Sequence, residues 1–220
     1  MFLSQIPLEI FKNGVLYFLI ITAILSTVFY NKYKSTFLKY FMPLIWLELA
    51  TELFAPYYSA YIDHNNTIIY NIYRVIEFSF YFLLYRHLVV KPQNRKFISI
   101  FLFIYYLSVF INCFFQNFRF DYFSNTYFVG ASLIVISIVL YFSEILNSEK
   151  IIIVTRMFSF WISIAVFIYY VTSIPFKVII NYYKYSPTIP YIYAFNYAVV
   201  FIFYLIISIG LFWSKKEQSI

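Results

Sequence analysis

Residues Ile189–Trp213 read IPYIYAFNYAVVFIFYLIISIGLFW, a run with no Asp, Glu, Lys or Arg. At 1.5 Å per residue such a run covers the ~30 Å hydrocarbon core of a bilayer as a helix. A lone strand there would leave its backbone unpaired in lipid, so helix is the conformation it must take. Working back towards the start, six more apolar stretches have similar length: Gly14–Tyr30, Lys39–Ile62, Thr67–Val90, Phe97–Asn117, Ser124–Leu146 and Thr155–Ile180. The breaks between them are polar or carry proline, as in NKYKS, DHNN, KPQNRK and YSPTIP. The pattern predicts an all-α membrane protein, a seven-transmembrane-helix bundle forming a single integral membrane domain over residues 1–220.

Composition supports that class. Of 220 residues, 63% are hydrophobic and 11% charged, against about 25% charged in a soluble domain. Seven spans leave no room for a separate soluble catalytic, nucleotide-binding or nucleic-acid-binding domain. Only three glycines occur beside 29 Phe and 25 Tyr, so helix packing is expected to rest on aromatic and aliphatic side chains rather than small-residue crossings. A lone cysteine, Cys113, excludes an intramolecular disulfide. His64 and His87 fall at opposite ends of the spans, and no zinc, serine-hydrolase or phosphate-loop motif is present. The expectation is therefore no enzyme, no cofactor, no metal site and no nucleic-acid partner.

Basic residues set the expected orientation. The connections after the first, third and fifth spans and the C-terminal tail hold Lys32, Lys34, Lys39, Arg86, Lys91, Arg95, Lys96, Lys150, Arg156, Lys215 and Lys216, eleven in all; the opposite side holds four, Lys12, Arg119, Lys177 and Lys184. The positive-inside bias predicts an N-terminus outside and a C-terminus in the cytoplasm. It makes Arg86, Lys91, Arg95 and Lys96 a cytoplasmic basic patch beside the lipid headgroups. The first span is expected to stay uncleaved, because its basic flank follows the apolar run. A bacterial cytoplasmic (inner) membrane is the expected location.

Four charges fall deep inside spans, away from the connections: Glu48 and Glu52 on the second, Arg74 and Glu77 on the third. Each would cost about 2.5–3.5 kcal/mol facing lipid at mid-bilayer. Spacings of four and three put each pair on one helix face, and the short connection Asp63–Asn66 makes the two helices antiparallel neighbours. The charges should meet inside the bundle. Asn71, Asn112, Tyr169 and Asn196 fall at similar depth and complete a candidate ligand-binding site or polar network. Two roles remain open at this level: a clamp that holds the helices together, or a ligand or proton site.

The segment Asn71-Ile-Tyr-Arg-Val-Ile-Glu77-Phe78, with Phe160-Trp161, Ile168-Tyr169-Tyr170 and Asn196, resembles a family of uncharacterised seven-transmembrane-helix bacterial membrane proteins of similar length, found in low-GC Gram-negative bacteria. An N-x-Y-x-x-x-E-F motif opens the third helix in that family; many members have Pro or Thr where Arg74 stands. Their frequent occurrence beside sensor kinases implies a signalling role, and the resemblance supplies no activity. The function expected is thus a multi-pass receptor or sensor-like protein with a polar intramembrane site in its outer half, signalling through a separate membrane or cytoplasmic partner. The alternatives are a proton-coupled transporter or channel using the intramembrane glutamates, and a structural membrane subunit of a larger complex.

Overall fold

The computed structural model describes residues 8–148, 153–182 and 188–216. Among them are seven α-helices: α1 (Leu8–Val28), α2 (Phe41–Tyr61), α3 (Thr67–Leu88), α4 (Pro92–Asn112), α5 (Ser124–Leu146), α6 (Phe158–Tyr182) and α7 (Ile189–Trp213). Short 3-10 turns at Tyr30–Lys32, Phe37–Tyr40 and Val154–Arg156 shape the connections. Lys150 and Lys184 lie outside the described residues.

Five helices (α1, α4, α5, α6 and α7) are long and apolar enough to cross a membrane, as a multi-pass membrane protein requires. The other two, α2 and α3, match them in length. They fall short in apolarity, and their charged residues Glu48, Glu52, Arg74 and Glu77 face the interior of the bundle.

Two boundaries differ from expectation for physical reasons. Helix α1 is already helical at Leu8, ahead of the expected Gly14, which places Lys12 on a helical face. Helix α4 begins at Pro92, where proline's missing N–H costs nothing in a first turn, and ends at Asn112 rather than Asn117. Asn112 and Gln116 then bond side chain to side chain at 2.8 Å and start the turn that follows.

Consecutive helices pack side by side, α7 closes onto α1, and α3 reaches across to α5. Helix α3 is therefore the central helix and α4 lies outside the ring. Burial agrees, with Tyr73, Glu77, Phe78, Tyr81 and Tyr85 buried along α3. The core is a lattice of rings. Phe78 stacks on Tyr170 at 5.4 Å and packs against Tyr105 at 5.0 Å, while Phe158 meets Tyr33 and Phe41. Outward faces carry Leu53, Phe103, Phe110, Val139, Leu205 and Phe212, all exposed, which suits a lipid solvent.

Both ends of the bundle are latched. Asp63 pairs with Arg119 at 2.9 Å, joining the α2–α3 connection to the α4–α5 loop, and Asp63 holds the Arg119 guanidinium above its ordinary pKa through hydrogen bonding and charge. At the other end Glu144 accepts from the Val90 and Lys91 N–H groups and from Asn94 Nδ2, capping the start of α4. Lys32 Nζ donates to the Leu211 and Phe212 carbonyls, satisfying the C-terminus of α7. Arg86, Lys91, Arg95 and Lys96 are exposed at that end, and Arg95 Nε bonds the Val89 carbonyl.

Two of the three glycines sit at close approaches after all. A Cβ on Gly210 would collide with Trp161 Cβ, and one on Gly130 would meet Phe78 and Tyr105 at 3.0 Å. Nothing lies within 4 Å at Gly14. Gly210→Ala is therefore expected to cost about 1–3 kcal/mol by forcing α6 and α7 apart. Gly14→Ala should be neutral or stabilising by up to about 1 kcal/mol. Unfolding of both variants in mild detergent checks the contrast, and equal stabilities would refute it.

Candidate functional site

Helix α3 carries Tyr70, Tyr73, Arg74 and Glu77 at spacings of three and four, hence on one face. The same rule aligns Glu48 with Glu52 on α2, Lys12 with Leu16 and Leu19 on α1, Tyr169 with Ser173 and Lys177 on α6, and Asn196 with Val200, Phe203 and Tyr204 on α7. These five faces enclose one cavity of about 440 Å³. That volume lies within the range of about 300–1,000 Å³ usual for small-molecule sites.

Its charges are held in graded ways. Arg74 Nη1 pairs with Glu77 Oε2 at 2.8 Å, and the Tyr170 hydroxyl donates to Glu77 Oε1 at 3.0 Å. The Tyr204 hydroxyl donates to Glu48 Oε1 at 2.8 Å. Glu77 is buried, while Glu48 and Glu52 are half-buried against the cavity. The Arg74 guanidinium lies 5.0 Å from the Tyr127 ring centroid, and Lys177 Nζ lies 4.5 Å from both Tyr127 and Tyr122. Such contacts stabilise desolvated cations without neutralising them. The resulting field acts on Tyr122, in the loop before α5: burial raises its phenol, yet the charges of Arg74 and Lys177 outweigh burial and hold it below its ordinary pKa.

Six of the sequence-derived site residues line the cavity: Glu48, Glu52, Arg74, Glu77, Tyr169 and Asn196. Asn71 and Asn112 are not among the lining residues. Asn71 faces the α4–α5 loop, where its Nδ2 donates to the Phe118 and Asp121 carbonyls at 2.9 Å and its Oδ1 accepts from the Phe123 N–H. Asn112 bonds Gln116 on the outlying helix α4. Two cations in the lining, Lys12 and Lys177, were assigned by sequence to an outer flank and an outer connection. Both instead sit within the first or last two turns of cavity-forming helices. The only sequence signal for them is the phase they share with the inward-facing positions of α1 and α6.

With Lys12 and Lys177 included, the lining holds three cations and three carboxyls rather than one arginine facing three acids. Such a set can bind and orient charged groups by ion pairing and hydrogen bonding in a water-poor setting. Among the described residues no three His, Cys, Asp or Glu side chains are grouped to hold a metal ion. No family model matches the chain, and neither a curated protein nor a solved structure matches it.

Removing one member of the Arg74–Glu77 pair strands the other in the bundle. Glu77→Gln is expected to lower stability by about 3 kcal/mol, and Tyr170→Phe by about 1.5 kcal/mol through one lost charge-assisted bond. Glu52→Gln, which breaks no ion pair, should change it by less than about 1 kcal/mol. Denaturant titration in micelles checks this order, and a Glu52→Gln loss as large as that of Glu77→Gln would overturn it.

Proposed function

We propose that the protein is a receptor or sensor-like protein of a bacterial inner membrane that binds a small molecule in the five-helix cavity and signals through a separate cytoplasmic partner. The observation that carries this reading is the cavity itself: 440 Å³, walled by α1, α2, α3, α6 and α7, and lined by charged groups that face it rather than lipid. A clamp alone needs its polar groups in contact with one another, whereas this arrangement leaves volume between them. In the proposal all seven helices cross the bilayer. Helices α2 and α3 do so because their charges point into the cavity, and the exposed basic residues near α3–α4 and α7 mark the cytoplasmic side. The resemblance to seven-helix proteins encoded beside sensor kinases supports the same role.

Helix α3 provides the route for a signal. It lines the cavity through Arg74 and Glu77 and ends at Arg86, beside the α3–α4 connection that Glu144 fixes. A ligand that shifts α3 would move the basic patch Arg86–Lys96, the surface the proposal gives to the partner. The carboxyls favour one second reading, a proton-coupled carrier. On that reading Glu48, Glu52 and Glu77 would take up protons, and proteoliposomes under a pH gradient would show flux that the glutamine variants lose.

Two measurements test the proposal. In native mass spectrometry from mild detergent the wild type should retain a small molecule that Glu48→Gln loses; glutamate-dependent flux in the liposome assay would replace receptor by carrier. The native Cys113, exposed after α4, reports topology. An impermeant maleimide should label it in intact spheroplasts and label Lys216→Cys, in a Cys113→Ser background, only after permeabilisation. The reverse pattern would invert the orientation.

A further inference from the structure

The cavity's charges are sorted along its length. Measured at 1.5 Å per residue from the end where α1 and α3 finish and α2 and α6 start, Lys12, Lys177 and Arg74 stand about 21–29 Å along their helices, whereas Glu52, Glu77 and Glu48 stand about 10–17 Å along theirs. The cations ring the upper part and the carboxyls the floor. Tyrosines accompany both layers, with Tyr169 and Tyr204 beside Glu48 at the bottom.

Only one pair within this set is already joined. Among the described residues the ion pairs are Arg74–Glu77 and Arg119–Asp63, so Lys12 and Lys177 above, and Glu48 and Glu52 below, line the cavity with no opposite charge within ion-pairing distance. Arg74 Nε is also buried with no hydrogen-bond partner among the described residues. The formal charges of the lining, three positive and three negative, sum to zero. A ligand of one sign would leave the unpaired groups of that same sign without a partner where solvation is poor.

Resting on the ligand-binding role proposed above, we infer that the occupant is a net-neutral zwitterion, with an ammonium group directed to Glu48 and the floor tyrosines and a carboxylate or phosphate directed to Lys12, Lys177 and Arg74. The ammonium gains ion pairing and a ring-lined pocket. The anion gains donors from three helices. The backbone positions of the layers differ by about 10 Å along the axis, a separation that long side chains shorten, as Arg74 and Glu77 do in meeting at 2.8 Å, so a flexible ω-amino acid can reach both layers. An ammonium–carboxylate compound from outside the cell and the headgroup of an aminophospholipid share this chemistry.

A matched probe series tests the inference on wild-type protein in a zwitterion-free detergent, by thermal unfolding with 6-aminohexanoate, hexylamine and hexanoate. Dihexanoyl phosphatidylethanolamine beside dihexanoyl phosphatidylglycerol forms the lipid arm. At saturation the zwitterion should raise Tm by about 3 °C or more, at least threefold beyond either singly charged analogue. Glu48→Gln and Lys177→Met should each bring the response down to that of the analogues. A response to 6-aminohexanoate assigns the free compound, and one confined to phosphatidylethanolamine assigns the headgroup; either supports the inference. A singly charged probe that matches the zwitterion overturns the inference while leaving the cavity a ligand site. Silence from every probe overturns both.

Discussion

An ionised side chain is costly in hydrocarbon, and in the proposed seven-span arrangement that constraint decides how the helices are turned. Glu48, Glu52, Arg74 and Glu77 lie in the middle of helices whose other faces are apolar, so α2 and α3 have one tolerable rotation each. With α3 fixed in that rotation, Phe78 points to Tyr105, Tyr127 and Tyr170, and the ring lattice of the core follows. Arg74 sits at the junction of the two systems: it pairs with Glu77 on the cavity side and packs over Tyr127 on the other. The charged cluster and the aromatic core therefore form one mechanical unit.

Aromatic packing answers a second constraint. With so few small residues, helices cannot meet backbone to backbone, and rings fill the space between them. The two places where they do approach closely use the available glycines, Gly130 against α3 and α4 and Gly210 against α6. Ring-filled contacts leave irregular gaps, and polar side chains around one of them line a cavity rather than a void.

Much of this was legible in the chain. The apolar runs located every helix, and spacings of three and four placed Glu48, Glu52, Arg74 and Glu77 on faces that meet. What was not legible depends on where helices begin and on contacts distant in sequence. Lys12 looked like a flank because the apolar run seemed to start at Gly14; with α1 already helical at Leu8 it is part of the wall. Lys177 fell near the outer end of its expected span and was counted with the connections; α6 runs on to Tyr182 and Lys177 lines the cavity. Asn71 shares a helix with Arg74, yet at an offset of three residues it serves a loop whose carbonyls no local pattern announces. Depth along a helix can be counted, but the neighbour a side chain finds there is a property of the whole bundle.

Closure of α7 against α1, reinforced by Lys32 on the last carbonyls of α7, has a consequence for biosynthesis. Helices emerge from the ribosome in order, so the wall formed by Asn196, Phe203 and Tyr204 arrives last. Until then Glu48 has no Tyr204 to bond, and the half-built bundle exposes its polar interior to lipid. The nascent chain must be sheltered during that interval, by an insertase or by transient water, and a chain halted before its final helix would be recognisable to quality-control proteases by that same uncovered charge.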